Sequence, residues 1–344
     1  MDDHEAMREA LAAARLGVEA DPNPRVGCLI VPDDGSGPVL GWHRGAGTPH
    51  AEVDALSRAG SHARGATAYV TLEPCTHHGR TGPCADRLVA AGVRRVVHAV
   101  PDPNPVAAGG AAYLRARGVE VTEGVLQAEA EEVNASWMYA QRTGRPWVVA
   151  KMATSLDGRV AAVDGSSRWV TGPAARGDAH RLRARSGAVL VGSGTVVADD
   201  PHLTVRRPDG TLADRQPLRV VIGHRPPPRG SRILDTAAGT LQLATHDPVA
   251  VLSALAERGV HRALIEGGPT LATAFLRAGL VDEVVAYIAP ALLGGGALAI
   301  GDLGVATIAE AVRFVPTDVT PLWPDIRVTA RPLHRPAISP SERT

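Results

Sequence analysis

Three short segments constrain this chain most: Pro49-His50-Ala51-Glu52, Pro74-Cys75 and Pro83-Cys84. One imidazole and two thiols can hold a zinc ion on three sides, so the fold must bring three distant segments to one point. Glu52 is left over as a carboxylate free to move protons. Three protein ligands with the fourth position open to water is the layout of a catalytic zinc site. The pattern predicts His50 and Cys84 at helix starts and Cys75 at a strand-to-turn junction. Helix N-termini favour negative charge and lower thiol pKa values, so they suit metal-bound thiolates.

A closed structural zinc site is the plainer alternative. It needs a fourth protein ligand, and His77, His78 and Cys28 are available. It does not need the Glu. Cys28 lies within an apolar run and reads most simply as a core residue. A His-x-Glu alone says little, but two Pro-Cys elements downstream make it specific. The same set matches the signature of zinc deaminases, in which His and Cys bind the metal and Glu is the acid/base. One feature departs from the common Cys-x-x-Cys spacing: a long loop, Thr76 to Pro83, separates Cys75 from Cys84. Its polar side chains fit either a substrate pocket or a solvated loop.

At 344 residues the chain is long for a single domain. Lys+Arg and Asp+Glu balance at 36 each, and aromatics are only 3%. Neither gives a reason to expect nucleic acid as partner. No apolar run reaches membrane-spanning length, and the acidic start Met1-Asp2-Asp3-His4-Glu5 lacks the features of a signal peptide. Three cysteines make no secreted disulfide framework, so a cytoplasmic setting is expected.

Apolar spacing predicts a helix over about Asp3 to Val18, a strand over 26–31 and its hairpin partner over 39–42. Helix 51–59, strand 68–72, helix 85–91 and strand 95–100 follow. A charged helix over 127–141 precedes a boundary near Gly144-Arg145-Pro146. Strands are then predicted over 147–153, 188–191, 218–222, 262–265 and 283–288, with helices over 174–185 and 271–278. Such alternation implies layered α/β domains. They are placed at 1–145 and 146–333, with a disordered polar tail over 334–344.

Further motifs sharpen this. Asn23-Pro24-Arg25-Val26-Gly27, Tyr69 to Cys75, His77-His78-Gly79-Arg80-Thr81 and Asp102-Pro103-Asn104-Pro105 lie in the first half. The second half has Lys151 to Gly158, Thr195-Val196, Asp199-Asp200-Pro201 and Glu266-Gly267-Gly268-Pro269-Thr270. With these, the chain resembles the bifunctional deaminase–reductases of riboflavin biosynthesis over about residues 3–330. The long inter-cysteine loop belongs to that family; Gly82 replaces its usual Pro. The resemblance implies a three-layer cytidine-deaminase-like domain followed by a dihydrofolate-reductase-like domain. It implies zinc on His50, Cys75 and Cys84, with Glu52 as proton shuttle. It also implies a small phosphoribosyl pyrimidine substrate, and Asn23, His43, Asp102 and Asn104 are expected to contact it.

The second half has no Gly-x-Gly-x-x-Gly, so it carries no standard dinucleotide fingerprint. Gly192-Ser193-Gly194-Thr195 and Glu266 to Thr270 could each admit a phosphate after a strand, though such turns are more often only turns. The resemblance implies NADPH on Ala153, Trp169, Thr195, Asp199, Gly268, Pro269, Thr270, Leu271, Ala272, Thr273 and Ala274. It implies substrate contacts at Ser167, Arg183, Leu203, Arg206 and Glu266, and a homo-oligomer. Lys151, Asp199 and Glu266 all remain open as the proton donor for reduction. Two other readings share the zinc motif: a nucleic-acid base deaminase, and an inactive zinc scaffold.

Overall fold

The computed structural model describes residues 1–19, 22–77, 82–207 and 209–333. The loop residues His78 to Thr81 and the tail 334–344 lie outside the described residues. The chain divides into two compact units, Met1–Arg142 and Thr143–Thr344.

The first unit contains α1 (Asp3–Ala14), β1 (Gly27–Val31), β2 (Val39–Trp42), α2 (Ala51–Ala59), β3 (Thr67–Val70), α3 (Cys84–Ala90) and β4 (Arg95–His98). α4 (Gly110–Arg115), β5 (Glu120–Glu123), α5 (Gln127–Val133) and α6 (Ala135–Thr143) complete the sequence of elements, the last crossing the unit boundary by one residue. The sheet order is β2-β1-β3-β4-β5. β1 is antiparallel to both β2 and β3, and β3, β4 and β5 are parallel.

The two-residue period of β1 sends Leu29 to one face and Cys28 and Ile30 to the other. Leu29 joins a core with α1, α5 and α6. Cys28 and Ile30 join a second core with α2, α3 and α4. The unit is therefore a three-layer α/β/α sandwich.

Two helix expectations change. α1 starts at a capping box of Asp2 and Glu5 but ends at Ala14. There the amides of Leu16 and Gly17 turn to carbonyls three residues back, which tightens the chain out of the helix. The single helix expected over 127–141 is two, because buried Asn134 takes another task. Its Oδ1 accepts from the Arg25 amide and its Nδ2 donates to the Arg25 carbonyl, both at 2.8 Å. This leaves Asn134 outside helical geometry (φ −115°, ψ 24°) and ties α5 to the Asn23-Pro24-Arg25 segment.

The second unit contains β6 (Trp147–Ser155), α7 (Pro173–Ala184), β7 (Ala188–Gly192), α8 (Ser193–Asp199), β8 (Leu218–Ile222) and β9 (Thr240–Leu243). After these come α9 (Pro248–Ala256), β10 (Arg262–Ile265), α10 (Pro269–Arg277), β11 (Glu283–Ala289), β12 (Phe314–Leu322) and β13 (Asp325–Pro332). Its sheet runs β12-β13-β11-β6-β10-β7-β8-β9. All pairings from β11 to β9 are parallel, and the β12–β13 hairpin adds antiparallel to β11. The central strands are apolar on both faces, as buried parallel strands must be. Val148, Leu190, Val220 and Ile265 pack under Leu255 of α9 and Phe275 of α10.

β12 escaped the sequence reading because it is an exposed edge strand containing Pro316 and Pro321, which blurs the alternation of side chains. The proline run Arg225 to Arg229 lies outside helices and strands.

Buried Asp282 anchors the entry to β6. Its carboxylate pairs with both Nη atoms of Arg145, at 2.8 and 3.0 Å, and accepts from the Val148 amide at 2.9 Å. Breaking such a buried pair from one side costs about 3–5 kcal/mol. Asp282→Ala is expected to lose that much stability in denaturant unfolding of the second unit. A loss below about 1 kcal/mol would contradict this role.

Candidate functional site

The first unit brings His50, Cys75 and Cys84 together. Their donor atoms all lie within 4.8 Å of one another. His50 is the N-cap of α2 and Cys84 is the first residue of α3, as the helix-start signals predicted. His50 Nδ1 is 3.2 Å from Cys84 Sγ and 3.7 Å from Cys75 Sγ. A tetrahedral zinc with ordinary bond lengths separates its nitrogen and sulfur ligands by about 3.6 Å. The two observed distances lie either side of that value, so the donor set fits zinc, through Nδ1 of the imidazole.

As protein groups, the three share protons. The hydrogen bond with Cys84 holds the Cys75 thiol down to about 4, against the opposing pull of burial. The same contact pushes Cys84 well up, helped by burial. Hydrogen bonding to Cys75 raises His50. The site is thus already arranged to keep negative charge on sulfur.

Glu52, in the first turn of α2, is buried beside the thiols, and burial pushes its carboxyl up to about 7, with the Cys75 charge adding to this. Cys28 faces the core under α2 and is not in the donor cluster. Among the described residues no fourth protein ligand joins the three.

The turn carrying Cys75 is held from below by Glu73. Its amide donates to the Val100 carbonyl at 2.8 Å. Its buried carboxylate accepts from the amides of Asp102 (3.0 Å) and Ala111 (2.9 Å). Gly110 sits so close that a Cβ there would meet the Pro74 carbonyl at 1.9 Å. Only glycine lets α4 press against this turn. In the sequence Glu73 is only part of a turn motif, because nothing local shows that its partners lie 29 and 38 residues downstream.

A cleft opens over the donor cluster. Asn23, His43, Asp102 and Asn104, the residues expected to contact substrate, line it together with His77 of the inter-cysteine loop. Trp137 and Gln141 of α6 line it too. They were missed because that segment reads as an ordinary charged helix. His43 is not free to turn: Nδ1 lies 2.9 Å from the Pro49 carbonyl and Nε2 lies 3.1 Å from Asn23 Nδ2. The carbonyl can only accept, so Nδ1 carries the proton and Nε2 accepts from Asn23. Burial pushes the Asp102 carboxyl up to about 6.

In the second unit, the residues expected around the reductase chemistry fall into two groups. Arg183 of α7 and Glu266, just beyond β10, form a buried pair: Nη2 to Oε2 is 2.9 Å, with Nε to Oε1 alongside. Arg183 also donates to the Thr204 carbonyl at 3.1 Å, next to Leu203, whose φ of 53° is left-handed. Burial works to raise Glu266, but the Arg183 charge and hydrogen bonds hold it below the ordinary carboxylate value. Burial lowers the Lys151 ammonium of β6, with Glu266 opposing.

The second group lies at α8 and α10. Thr195 Oγ1 accepts from the Gly268 amide at 3.1 Å, and the Asp199 carbonyl accepts from Arg168 at 2.6 Å. Pro269 follows Gly268 at the start of α10 and Thr270 is exposed there, while Leu271, Ala272 and Thr273 face the core and Ala274 is half-buried. Ala153 is half-buried on β6, as is Ser167 in its loop; Trp169 is exposed, with the Arg176 guanidinium over its ring. Arg206 is exposed and donates to the Gly210 carbonyl.

A three-layer unit with a His/Cys/Cys cluster, joined to a unit with this eight-stranded sheet, defines a zinc deaminase fused to a reductase. Residues 1–100 match the cytidine and deoxycytidylate deaminase zinc-binding region, and residues 146–327 match the RibD C-terminal domain. The chain is 51% identical over 309 residues to riboflavin biosynthesis protein RibD of Mycobacterium tuberculosis, covering 89% of this chain and 90% of the relative. It is 43% identical to RibD of Escherichia coli, covering 95% and 98%. The solved structure of Acinetobacter baumannii RibD, form 1, superposes with a TM-score of 0.90 at 42% identity, covering 96% of this chain and 99% of that one. The chain belongs to the RibD family of bifunctional riboflavin-biosynthesis deaminase–reductases, whose two halves use zinc and NADPH.

Outer groups that fix a metal site change affinity about 10–100-fold when removed. Glu73→Ala is expected to weaken zinc binding by that much in chelator competition. Glu52→Gln is expected to leave zinc binding within about threefold. Equal zinc affinity in Glu73→Ala and the unmodified protein would contradict the anchoring role of Glu73.

Proposed function

We propose that residues 1–145 form a deaminase domain and residues 146–333 a reductase domain, acting in turn on one small molecule. The first step converts 2,5-diamino-6-(5-phosphoribosylamino)pyrimidin-4-one by hydrolytic loss of ammonia. The second reduces the ribosyl group to ribityl, giving 5-amino-6-(5-phosphoribitylamino)uracil. One observation carries the reading: His50 and Cys75 of the donor triangle line a cleft together with a buried carboxylate, Glu52.

His50, Cys75 and Cys84 would hold zinc, which when bound supplies Lewis acidity and lowers the pKa of water. Glu52 is suited to take a proton from the attacking water and return it to the ring nitrogen, then to the departing amine. Burial supports this, because a carboxyl near pH 7 can do both. His43 turns the Asn23 amide so that its oxygen can accept from the pyrimidine. Asp102 and Asn104 line the same cleft and suit the polar ring substituents or the ribose.

In the reductase domain, NADPH when bound would supply the hydride that reduces ribose C1′. Its binding is assigned to Ala153, Trp169, Thr195, Asp199 and Gly268 to Ala274. Ser167, Arg183, Leu203, Arg206 and Glu266 are assigned to substrate. The Arg183–Glu266 pair keeps Glu266 ionised, and Arg206 matches a phosphate in charge and shape.

The protein is proposed to act in the cytoplasm as a homo-oligomer, without nucleic-acid or membrane partners. The exposed Val319, Trp323 and Ile326 of the β12–β13 hairpin support association with a second copy. Among the described residues no helix is long and apolar enough to cross a membrane.

A coupled assay following ammonia and NADPH absorbance together tests the reading. The diaminopyrimidine substrate is expected to release ammonia and then consume NADPH. Glu52→Gln should cut ammonia release by about 100-fold or more, yet oxidise NADPH normally when given the deaminated intermediate. Ammonia release from tRNA or single-stranded DNA, but not from the small pyrimidine, would replace this function with a polymer deaminase.

A further inference from the structure

Among the described residues the largest side chain that is wholly buried is a cation, Arg219 of β8. It has no part in the site described above. Leu218, Val220 and Ile222 of the same strand pack into the apolar core with α9. The two-residue period of a strand sends Arg219 to the opposite face. A buried guanidinium costs free energy unless its donors are met. An aliphatic side chain would fill the same space at no such cost, so the cation is explained by what it holds.

It holds two segments together. One Nη donates to the His202 carbonyl at 3.3 Å and to Asp235 Oδ1 at 2.8 Å. The other donates to the carbonyls of Asp235, at 2.6 Å, and Ala238. The second oxygen of the Asp235 carboxylate lies 3.1 Å from His202 Nδ1. His202 is therefore fixed by both its carbonyl and its ring. On one side of it, the Asp200 carboxylate accepts from the amide and Nε of Arg232, at 2.8 and 2.9 Å. On the other, the Val205 amide donates to Gln216 Oε1 at 2.7 Å, and Gln216 Nε2 donates back to the Val205 carbonyl at 2.9 Å. The segment 200–205 is pinned at both ends and in the middle.

The segment needs this pinning. Asp200 (φ 41°) and Leu203 (φ 53°) are left-handed, although neither is glycine. Such conformations cost free energy and persist where the surrounding structure over-determines them. What the segment delivers is the carbonyl of buried Thr204, which accepts from Arg183 Nη1 at 3.1 Å. Arg183 turns its Nε and Nη2 to Glu266. Its guanidinium is thus oriented by two partners, Glu266 and the Thr204 carbonyl. Arg219 fixes the second of these across one residue, Leu203, which is itself assigned to substrate.

We propose that Arg219 is a positioning residue for the reduction. By fixing His202 it sets the left-handed turn at Leu203 and the Thr204 carbonyl, and through them the Arg183 guanidinium that meets the substrate. The proposal rests on the reductase reading. The NADPH side is held by other bonds, Gly268 to Thr195 and Arg232 to Asp200, so loss of Arg219 falls on the pyrimidine substrate.

Steady-state reduction of the deaminated intermediate by the full chain tests this in Arg219→Lys and Asp235→Asn. Arg219→Lys keeps the charge but loses the planar fork that reaches several acceptors at once. Asp235→Asn keeps the shape and removes the partner charge. Each is expected to raise KM for the intermediate about tenfold, with KM for NADPH within about twofold and kcat within about threefold. A double-mutant cycle separates positioning from plain stability. In an Arg183→Lys background, Arg219→Lys should raise KM by less than about threefold more, because it acts through Arg183. An unchanged KM in both single variants, an equal rise for NADPH, or full additivity with Arg183→Lys would overturn the proposal. Loss of folded protein in both, seen by circular dichroism, would assign Arg219 to stability alone and overturn it too. Failure of the unmodified protein to oxidise NADPH with the intermediate would instead overturn the reductase reading.

Discussion

The metal-binding half depends on one buried carboxylate. Glu73 sits beneath the Pro74-Cys75 turn and accepts from two amides that belong to separate downstream segments. A buried carboxylate costs free energy unless it is hydrogen-bonded, so these contacts are obligatory rather than decorative. They fix where the end of β3 meets the Asp102 loop and the start of α4. Cys75 is placed as a consequence. α2 and α3 deliver His50 and Cys84 from the same face of the sheet, so three elements distant in sequence close on one point.

The same turn joins the donor cluster to the cleft. Asp102 takes one of the Glu73 bonds through its amide, and its own carboxyl lines the cleft. On the far side, Asn134 pins the segment carrying Asn23. Asn23 in turn is oriented by His43, which is held by the carbonyl of Pro49 beside His50 of the donor cluster. The cleft residues proposed to recognise a ring and the donor cluster proposed to activate water are therefore braced by shared backbone. A displaced turn would disturb both.

Much of this was legible in the sequence, for definite reasons. Apolar periodicity located β2, α2, β8 and β10 to the residue, since each is a short segment buried on a regular face. His50, Cys75 and Cys84 were legible because metal binding admits few residue types. What was not legible depends on distant partners. Asn134 breaks a helix because of Arg25, over a hundred residues away. Glu73 looks like a turn residue until α4 is folded against it. β12 is exposed and proline-bearing, so no period marks it. Arg183 could be read as a phosphate ligand, whereas its nearest partner is Glu266.

Catalysis by added water requires an open zinc site with three protein ligands. X-ray absorption at the zinc edge of the purified protein tests it most directly. An open site predicts one zinc per chain, with two sulfur ligands at about 2.3 Å and two nitrogen or oxygen ligands at about 2.0 Å, one of which exchanges with added small anions. A third sulfur, or four protein ligands with no exchangeable position, would contradict it.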